Sequence, residues 1–266
     1  MSEPEFSGQR VLVTGSTRGI GRATAELIHA RGGEVIWHGR RHDEAVSAAH
    51  AAGGSLAVAG ELADRTECRR IAAEVGEVDA LINCAGILEQ VAIAETSEEI
   101  WDRTFDVNLT AAWTLSRAFL EGLRRRRGVI VNVASEAGLL GYSGCAAYCA
   151  SKGALIGLTR ALAVELAPEV RAVAIAPGPV ETDMMRQAMD ASPDPAAELR
   201  TWTEVPMLRR AATTHEIAEA VAFAASPRAS YMTGDVLVID GGATAGRRVG
   251  TQGYDGEEHG SDDGDR

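Results

Sequence analysis

Tyr148 and Lys152 stand four residues apart in Tyr148-Cys149-Ala150-Ser151-Lys152, at the start of a stretch where Leu155, Leu158, Leu162 and Leu166 recur at helical spacing. On a helix beginning near Ala146 the two side chains share one face, a turn apart. A free phenol titrates at about 10. A neighbouring ammonium favours the phenolate and brings proton transfer by tyrosine within reach of neutral pH. Lys152 itself adds weight to the pair: of 26 basic residues it is the single lysine, the other 25 being arginine. A chain that otherwise carries positive charge as arginine keeps a compact ammonium at this one place.

A second cluster suits a dinucleotide. The run Val11-Leu12-Val13 leads into Thr14-Gly15-Ser16-Thr17-Arg18-Gly19-Ile20-Gly21, after which Ala23, Leu27 and Ile28 continue at helical spacing from Ile20. Glycines allow the tight turn and close backbone approach that a pyrophosphate needs, and the helix N-terminus offers unpaired N–H groups and a positive dipole end. The spacing is GxxxGxG rather than GxGxxG, and no Gly-Lys-Ser/Thr follows, which excludes a nucleotide-hydrolysing phosphate loop. The next strand ends at His38-Gly39-Arg40-Arg41. An acid there would take the ribose hydroxyls of NAD(H), whereas arginine accommodates a 2′-phosphate. Gly39 in place of an acid, with Arg40 beside it and Arg18 in the loop, predicts NADP(H), with NAD(H) as the alternative.

Positioning these residues requires a layered α/β frame. Short apolar or β-branched runs mark strands at Arg10–Val13, Glu34–Trp37, Leu56–Ala59, Ala80–Asn83, Val129–Val133, Ala172–Ala176 and Val236–Ile239, with helical segments between most of them. Seven strands alternating with helices predict one doubly wound Rossmann-type α/β domain over 1–245, with a mostly parallel seven-stranded sheet and helices on both faces. Such sheets bind ligands beyond the carboxyl ends of their strands. The segment 181–206 breaks the pattern. It carries Met184, Met185 and Met189 and is interrupted by Pro193 and Pro195, so it reads either as a lid over substrate or as a surface excursion with a short helix. Residues 246–266 are Gly- and acid-rich with almost no apolar side chains, the composition of a disordered, solubilising tail.

Further residues complete the pattern: Asn83-Cys84-Ala85-Gly86 at the fourth strand end, Asn108 in a long helix, Ser135 thirteen residues before Tyr148, and Pro177-Gly178 followed by Glu181-Thr182. In order and spacing the chain resembles the short-chain dehydrogenase/reductase family over about Phe6 to Ala245, closest in look to its 3-oxoacyl-(acyl-carrier-protein) reductase-like members. The resemblance implies hydride transfer between a nicotinamide cofactor and a carbonyl/alcohol pair. Tyr148 would be the general acid/base. Lys152 would depress its pKa and bind the nicotinamide ribose, Ser135 would hydrogen-bond the substrate oxygen, and Asn108 would hold the water of a proton relay. Gly15, Thr17, Arg18, Gly19, Ile20 and Gly21 would cradle the pyrophosphate, with Gly39 and Arg40 at the adenosine phosphate. Asn83, Ala85 and Gly86 would shape the cofactor floor, and Pro177, Gly178, Val180 and Thr182 would line the nicotinamide end. Two positions depart from the family pattern: Cys84 replaces its second asparagine, and Glu61-Leu62 stands for its Asp-hydrophobic pair at the adenine. A 3-oxoacyl thioester is the first substrate reading; a cyclic ketone, steroid or polyol is the second. A regulator that binds NADP without catalysis is the rival from another class. The family is usually tetrameric, here through helices near Ile100–Leu123 and Tyr148–Leu166.

Composition narrows the partners. A formal net charge of −12 opposes nucleic acid and anionic membrane. No apolar run reaches the length of a membrane span, and Met1–Phe6 carries two acids and no apolar stretch, so neither a membrane protein nor a secretory leader is expected. Cys68, Cys84, Cys145 and Cys149 have no metal-site spacing, consistent with free thiols in the cytoplasm. The run Arg124–Arg127 closes a helix before Gly128, where cations complement the dipole; its functional alternative is docking of an acidic acyl carrier protein.

Overall fold

The computed structural model describes residues 4–246, so all of the acidic tail beyond Gly246 lies outside the described residues. The strands are β1 (Arg10–Val13), β2 (Glu34–Gly39), β3 (Leu56–Ala59), β4 (Ala80–Asn83), β5 (Val129–Val133), β6 (Arg171–Pro177) and β7 (Val236–Ile239). They form one sheet in the order β3-β2-β1-β4-β5-β6-β7. Every pairing is parallel, where sequence reasoning expected a mostly parallel sheet. β2 runs two residues further than expected, pairing His38 with Val58 and Gly39 with Ala59. Strand order reverses beside β1, which pairs with β2 on one side and β4 on the other, and a crevice opens there at the strands' carboxyl ends.

Nine α-helices are described: α1 (Gly19–Ala30), α2 (His42–Ala51), α3 (Arg65–Val75), α4 (Glu98–Phe105), α5 (Ala111–Arg126), α6 (Ala146–Leu166), α7 (Asp183–Ala191), α8 (Pro195–Glu204) and α9 (Thr214–Ala225). The two-residue period of the strands divides the core. Val11 and Val13 pack with Ile28 of α1 and with Ile217 and Val221 of α9, while Leu12 packs with Ile71 of α3 and with Leu115 and Phe119 of α5. Each such side chain contributes about 1.5–3 kcal/mol when fully buried. Most helix starts are capped: Asp64 accepts from Thr66 N, Ser97 from Ile100 N, and Thr213 forms a reciprocal box with Glu216. The last turn of α5 holds Arg124, Arg125 and Arg126 at the negative dipole end. α1 is different. Arg18 stands at its N-cap with no side-chain hydrogen bond, so its first-turn N–H groups are left for something in the crevice. No helix among the described residues is long and apolar enough to cross a membrane.

Candidate active site

The crevice is a cleft of about 1470 Å³ along the strand ends. One end is walled by the glycine loop, Gly39, Arg40, Glu61 and Leu62, and the other by Ser135, Tyr148, Lys152 and residues 177–182. Backbone geometry makes the loop a cradle that side chains would fill. Gly15 has φ +67°, and a Cβ there would lie 2.9 Å from Ala85 Cα; a Cβ on Gly21 would lie 2.4 Å from the Gly15 carbonyl oxygen. Thr14 locks the loop to the fourth strand end, its hydroxyl accepting from Cys84 N at 2.9 Å and Ala85 N at 3.1 Å. Across the cleft, a Cβ on Gly19 would lie 3.6 Å from Thr182 Cγ2, which shows how closely the post-β6 segment approaches the start of α1. Thr182 caps α7, accepting from Met185 N.

The basic residues at this end divide by pairing. Arg41 is held by Asp43 and Glu44, and Arg22 by Glu26. Arg18 and Arg40 are exposed, line the cleft and form no ion pair among the described residues. Glu61 turns its carboxylate back to Ala63 N at 3.3 Å, and Leu62 is buried beneath the cleft wall. The residues present fit a nicotinamide dinucleotide phosphate: an uncapped helix start, a loop that admits no side chain at Gly15 or Gly21, and two guanidiniums without an ion pair among the described residues, Arg18 at the start of α1 and Arg40 after β2.

At the other end, Ser135 follows β5 in extended conformation and caps a short 3₁₀ turn, accepting from Ala137 N at 3.2 Å, a use that leaves its O–H to donate. Tyr148 lies in the first turn of α6. Burial pushes its phenol up to about 12, and a hydrogen bond with Ser135 works in the opposite direction. The ammonium of Lys152 is 3% exposed and donates to the Val133 carbonyl at 2.9 Å, with Nζ 5.7 Å from the Tyr148 ring centre. Burial brings Lys152 down to about 8. The charge of Lys152 alone predicts a depressed phenol pKa; desolvation of the phenol dominates instead. Gly138 permits this packing, since a Cβ there would lie 2.7 Å from the Lys152 backbone.

Two of the singled-out polar residues sit one layer behind the wall. Asn108 occupies a π-helical turn, Asp106–Thr110, between α4 and α5. Its amide accepts from Ile87 N at 2.8 Å and donates to Ile87 O and to Ser151 Oγ, tying the loop after β4 to α6. Asn83 donates to Asn132, which donates to Thr159, a buried polar chain linking β4, β5 and α6. Cys84, Ala85 and Gly86 face the cleft, as do Pro177, Gly178, Val180 and Thr182. The lid candidate is two helices, α7 and α8, which line the cleft through Met184, Gln187, Ala188, Glu198 and Trp202. Met185 is buried elsewhere, so only Met184 of the three methionines reaches the wall.

Glu136, directly after Ser135, escaped sequence reasoning because a lone acid in a loop carries no pattern. It is 5% exposed and accepts from Tyr142 Oη at 2.9 Å, while its second oxygen is enclosed without a partner among the described residues. Burial lifts its carboxyl to about 7 from the ordinary 4.5, with Tyr142 opposing and Asp240 reinforcing. The fold therefore favours the protonated form, and its stabilisation is fully present below the ordinary value and lost as pH rises through the folded one. Glu136→Gln keeps an oxygen for Tyr142 and cannot ionise. Its melting temperature relative to wild type is expected to rise between about pH 5 and about pH 8. A pH-independent offset would show that ionisation of Glu136 is not the cost.

Residues 15–244 match a family model described as Enoyl-(Acyl carrier protein) reductase. The chain is 38% identical to 3-oxoacyl-(acyl-carrier-protein) reductase FabG of Escherichia coli, over 89% of this chain and 98% of that one. It is 40% identical to cyclopentanol dehydrogenase of Comamonas testosteroni, over 88% and 96% respectively. A solved structure from Beutenbergia cavernae, assigned as an NAD(P)-dependent gluconate 5-dehydrogenase with NADP bound at low occupancy, superposes with TM-score 0.85 at 36% identity. The match covers 92% of this chain and all of that one.

Proposed function

The chain belongs to the short-chain dehydrogenase/reductase family of NAD(P)-dependent oxidoreductases, and on that footing we propose that it is an NADPH-dependent carbonyl reductase, reversible as an alcohol dehydrogenase. The observation that carries this is the placing of Ser135, Tyr148 and Lys152 at one end of a single cleft whose other end presents the unpaired Arg18 and Arg40. Thr17, Gly19, Ile20 and Gly21 would hold the pyrophosphate at the α1 start, and Pro177, Gly178, Val180 and Thr182 would border the nicotinamide. The bound dinucleotide supplies the hydride in reduction and takes it up in oxidation. Ser135 donates to the substrate oxygen and holds it against Tyr148. Tyr148 gives that oxygen its phenolic proton as the carbonyl carbon is reduced. A phenol kept protonated by burial is suited to serve as the acid in that direction. Lys152 and the Asn108 turn border the route by which the proton is replaced. A regulator needs only the cradle; a complete donor set around one carbonyl position argues for catalysis.

For substrate, a 3-oxoacyl thioester is the first reading, supported by the relatives of that activity and by a cleft open enough for an acyl arm. A hydroxylated or cyclic ketone is the second, favoured by Glu136, Tyr142, Ser143 and Gln90 on the wall near Ser135. Carrier-protein docking gains little from the arginine run. Arg124 meets Glu121, and Arg125 and Arg126 meet Glu77, so two of the chain's own acids answer half of that charge. Trp101, Trp113 and Val164, exposed on α4, α5 and α6, are apolar surface that a homotetramer would cover. Kinetics with NADPH and NADH against acetoacetyl thioesters, cyclic ketones and hydroxyketones test the reading; no cofactor oxidation with any carbonyl would overturn it.

Cofactor choice has its own test. Replacing Arg18 and Arg40 together by alanine is expected to weaken NADPH binding about tenfold to a hundredfold and to change NADH binding little, because charge-assisted bonds to the 2′-phosphate are lost. Gly39→Asp is a poor switch here, since a Cβ at Gly39 would lie 2.6 Å from Thr17 Cγ2. Tighter binding of NADH than NADPH by the wild type in calorimetry would refute the assignment.

A further inference from the structure

We propose that His38 is a positioning residue for the dinucleotide cradle, acting as the hydrogen-bond acceptor that fixes Gly15. The imidazole is 2% exposed and lies at the end of β2, directly beneath the glycine loop. Gly15 N donates to His38 Nδ1 at 3.1 Å. The backbones are tied as well: Ser16 N donates to His38 O at 2.9 Å, and His38 N donates to Ser16 Oγ at 2.8 Å. Next along both segments, Thr17 packs so closely on Gly39 that no side chain fits between them. Strand end and loop thus interlock residue by residue. The imidazole bond is the one element of that interlock that depends on side-chain identity at position 38.

The chemistry of the ring supports this. To accept from Gly15, Nδ1 must be unprotonated, which places the remaining proton on Nε2. Nε2 is enclosed with no well-aligned hydrogen bond among the described residues, the Gly60 backbone being the ring's other polar neighbour. A buried imidazole is a costlier core residue than an aliphatic side chain that fills the same space. What the aliphatic group cannot do is accept from Gly15. Gly15 has φ +67° and no side chain of its own to anchor it. Burial holds the imidazole down to about 4, with the Gly60 backbone and Glu61 favouring its charged form and Arg70 opposing it. The acceptor is therefore present throughout the neutral range. With Gly15 N–H drawn inward to His38, the chain turns into α1 with its uncapped first turn, Gly19, Ile20 and Gly21, on the cleft wall.

This inference rests on the dinucleotide reading of the loop, and the experiment separates the two. Calorimetric Kd values for NADPH and melting temperatures of the free proteins are measured for wild type, His38→Leu and His38→Asn. Asn is chosen because its Oδ1 can stand where Nδ1 stands. His38→Leu is expected to bind NADPH about tenfold or more weakly, because Gly15 is no longer fixed before the ligand arrives, and the unmet Gly15 N–H lowers the melting temperature of the free protein slightly. His38→Asn is expected to stay within about threefold of wild type. At saturating NADPH, kcat of His38→Leu is expected to change far less than KM for the cofactor. No NADPH binding by the wild type would sink the dinucleotide reading. Wild-type affinity in His38→Leu, or a loss that tracks a lowered melting temperature and is shared by His38→Asn, would overturn the positioning role.

Discussion

Tyr148→Phe is expected to fold as wild type, bind NADPH with wild-type affinity, and lose reductase turnover by roughly 10²–10⁴-fold, the range of a positioned general acid. The ring stays, so packing at the start of α6 is preserved, and only the hydroxyl is removed. Ser135 remains to hold the substrate oxygen, so KM for the carbonyl should rise little while kcat falls. Arrangement and energetics both point to the hydroxyl. It is the group on the wall whose removable proton is hydrogen-bonded with Ser135, and burial holds that proton in place at neutral pH. Glu136 and Tyr142, the other proton donors on that wall, are bonded to each other, and burial raises the Cys145 thiol to about 11. The check is steady-state kinetics with calorimetric NADPH binding and circular dichroism on the same preparation. Turnover within a few-fold of wild type would remove Tyr148 from the chemistry and leave Ser135 with a water as the proton source.

How much of this was legible beforehand depends on whether a residue acts through a pattern or through a place. Val11, Leu12 and Val13 announce a strand because alternation reports burial on two faces, and Gly15, Gly19 and Gly21 announce a cradle because only glycine suits each of those backbones. The Tyr148–Lys152 spacing is helical geometry written in sequence. His38 and Glu136 left no such trace. Each is a single polar residue whose meaning comes from a neighbour far along the chain or across a loop, Gly15 for one and Tyr142 for the other. Asn83 and Asn108 were singled out, but their places, behind the cleft wall rather than on it, follow from partners (Asn132, Ile87, Ser151) that spacing does not reveal. The phenol's upward shift was hidden for the same reason: the charge of Lys152 is visible in sequence, and the desolvation that outweighs it is not.

Lys152→Arg is expected to fold normally and yet lose about a hundredfold or more in turnover, which separates charge from shape at this position. The ammonium is 3% exposed and lodged under the Val133 carbonyl, and a Cβ on Gly86 would lie 3.3 Å from Nζ. A guanidinium is wider, planar and spreads its donors, so it would keep the positive field while pressing into the Gly86 turn and leaving the Val133 carbonyl. NADPH affinity should fall along with turnover, since that turn is part of the cofactor floor. Lys152→Ala should lose at least as much turnover and should also shift the pH dependence of the alcohol-oxidising direction upward, because the tyrosine no longer has a cation to favour its phenolate. In the wild type, burial sets the lysine near 8, so its charge is lost as pH rises through that value. Oxidation rates should therefore show a dependence near that pH that is absent in Lys152→Arg, whose guanidinium stays charged. Kinetics in both directions across pH, with circular dichroism for folding, decide the matter. Near-wild-type turnover in Lys152→Arg would mean that charge alone is required, and the one lysine among 25 arginines would then owe nothing to its shape.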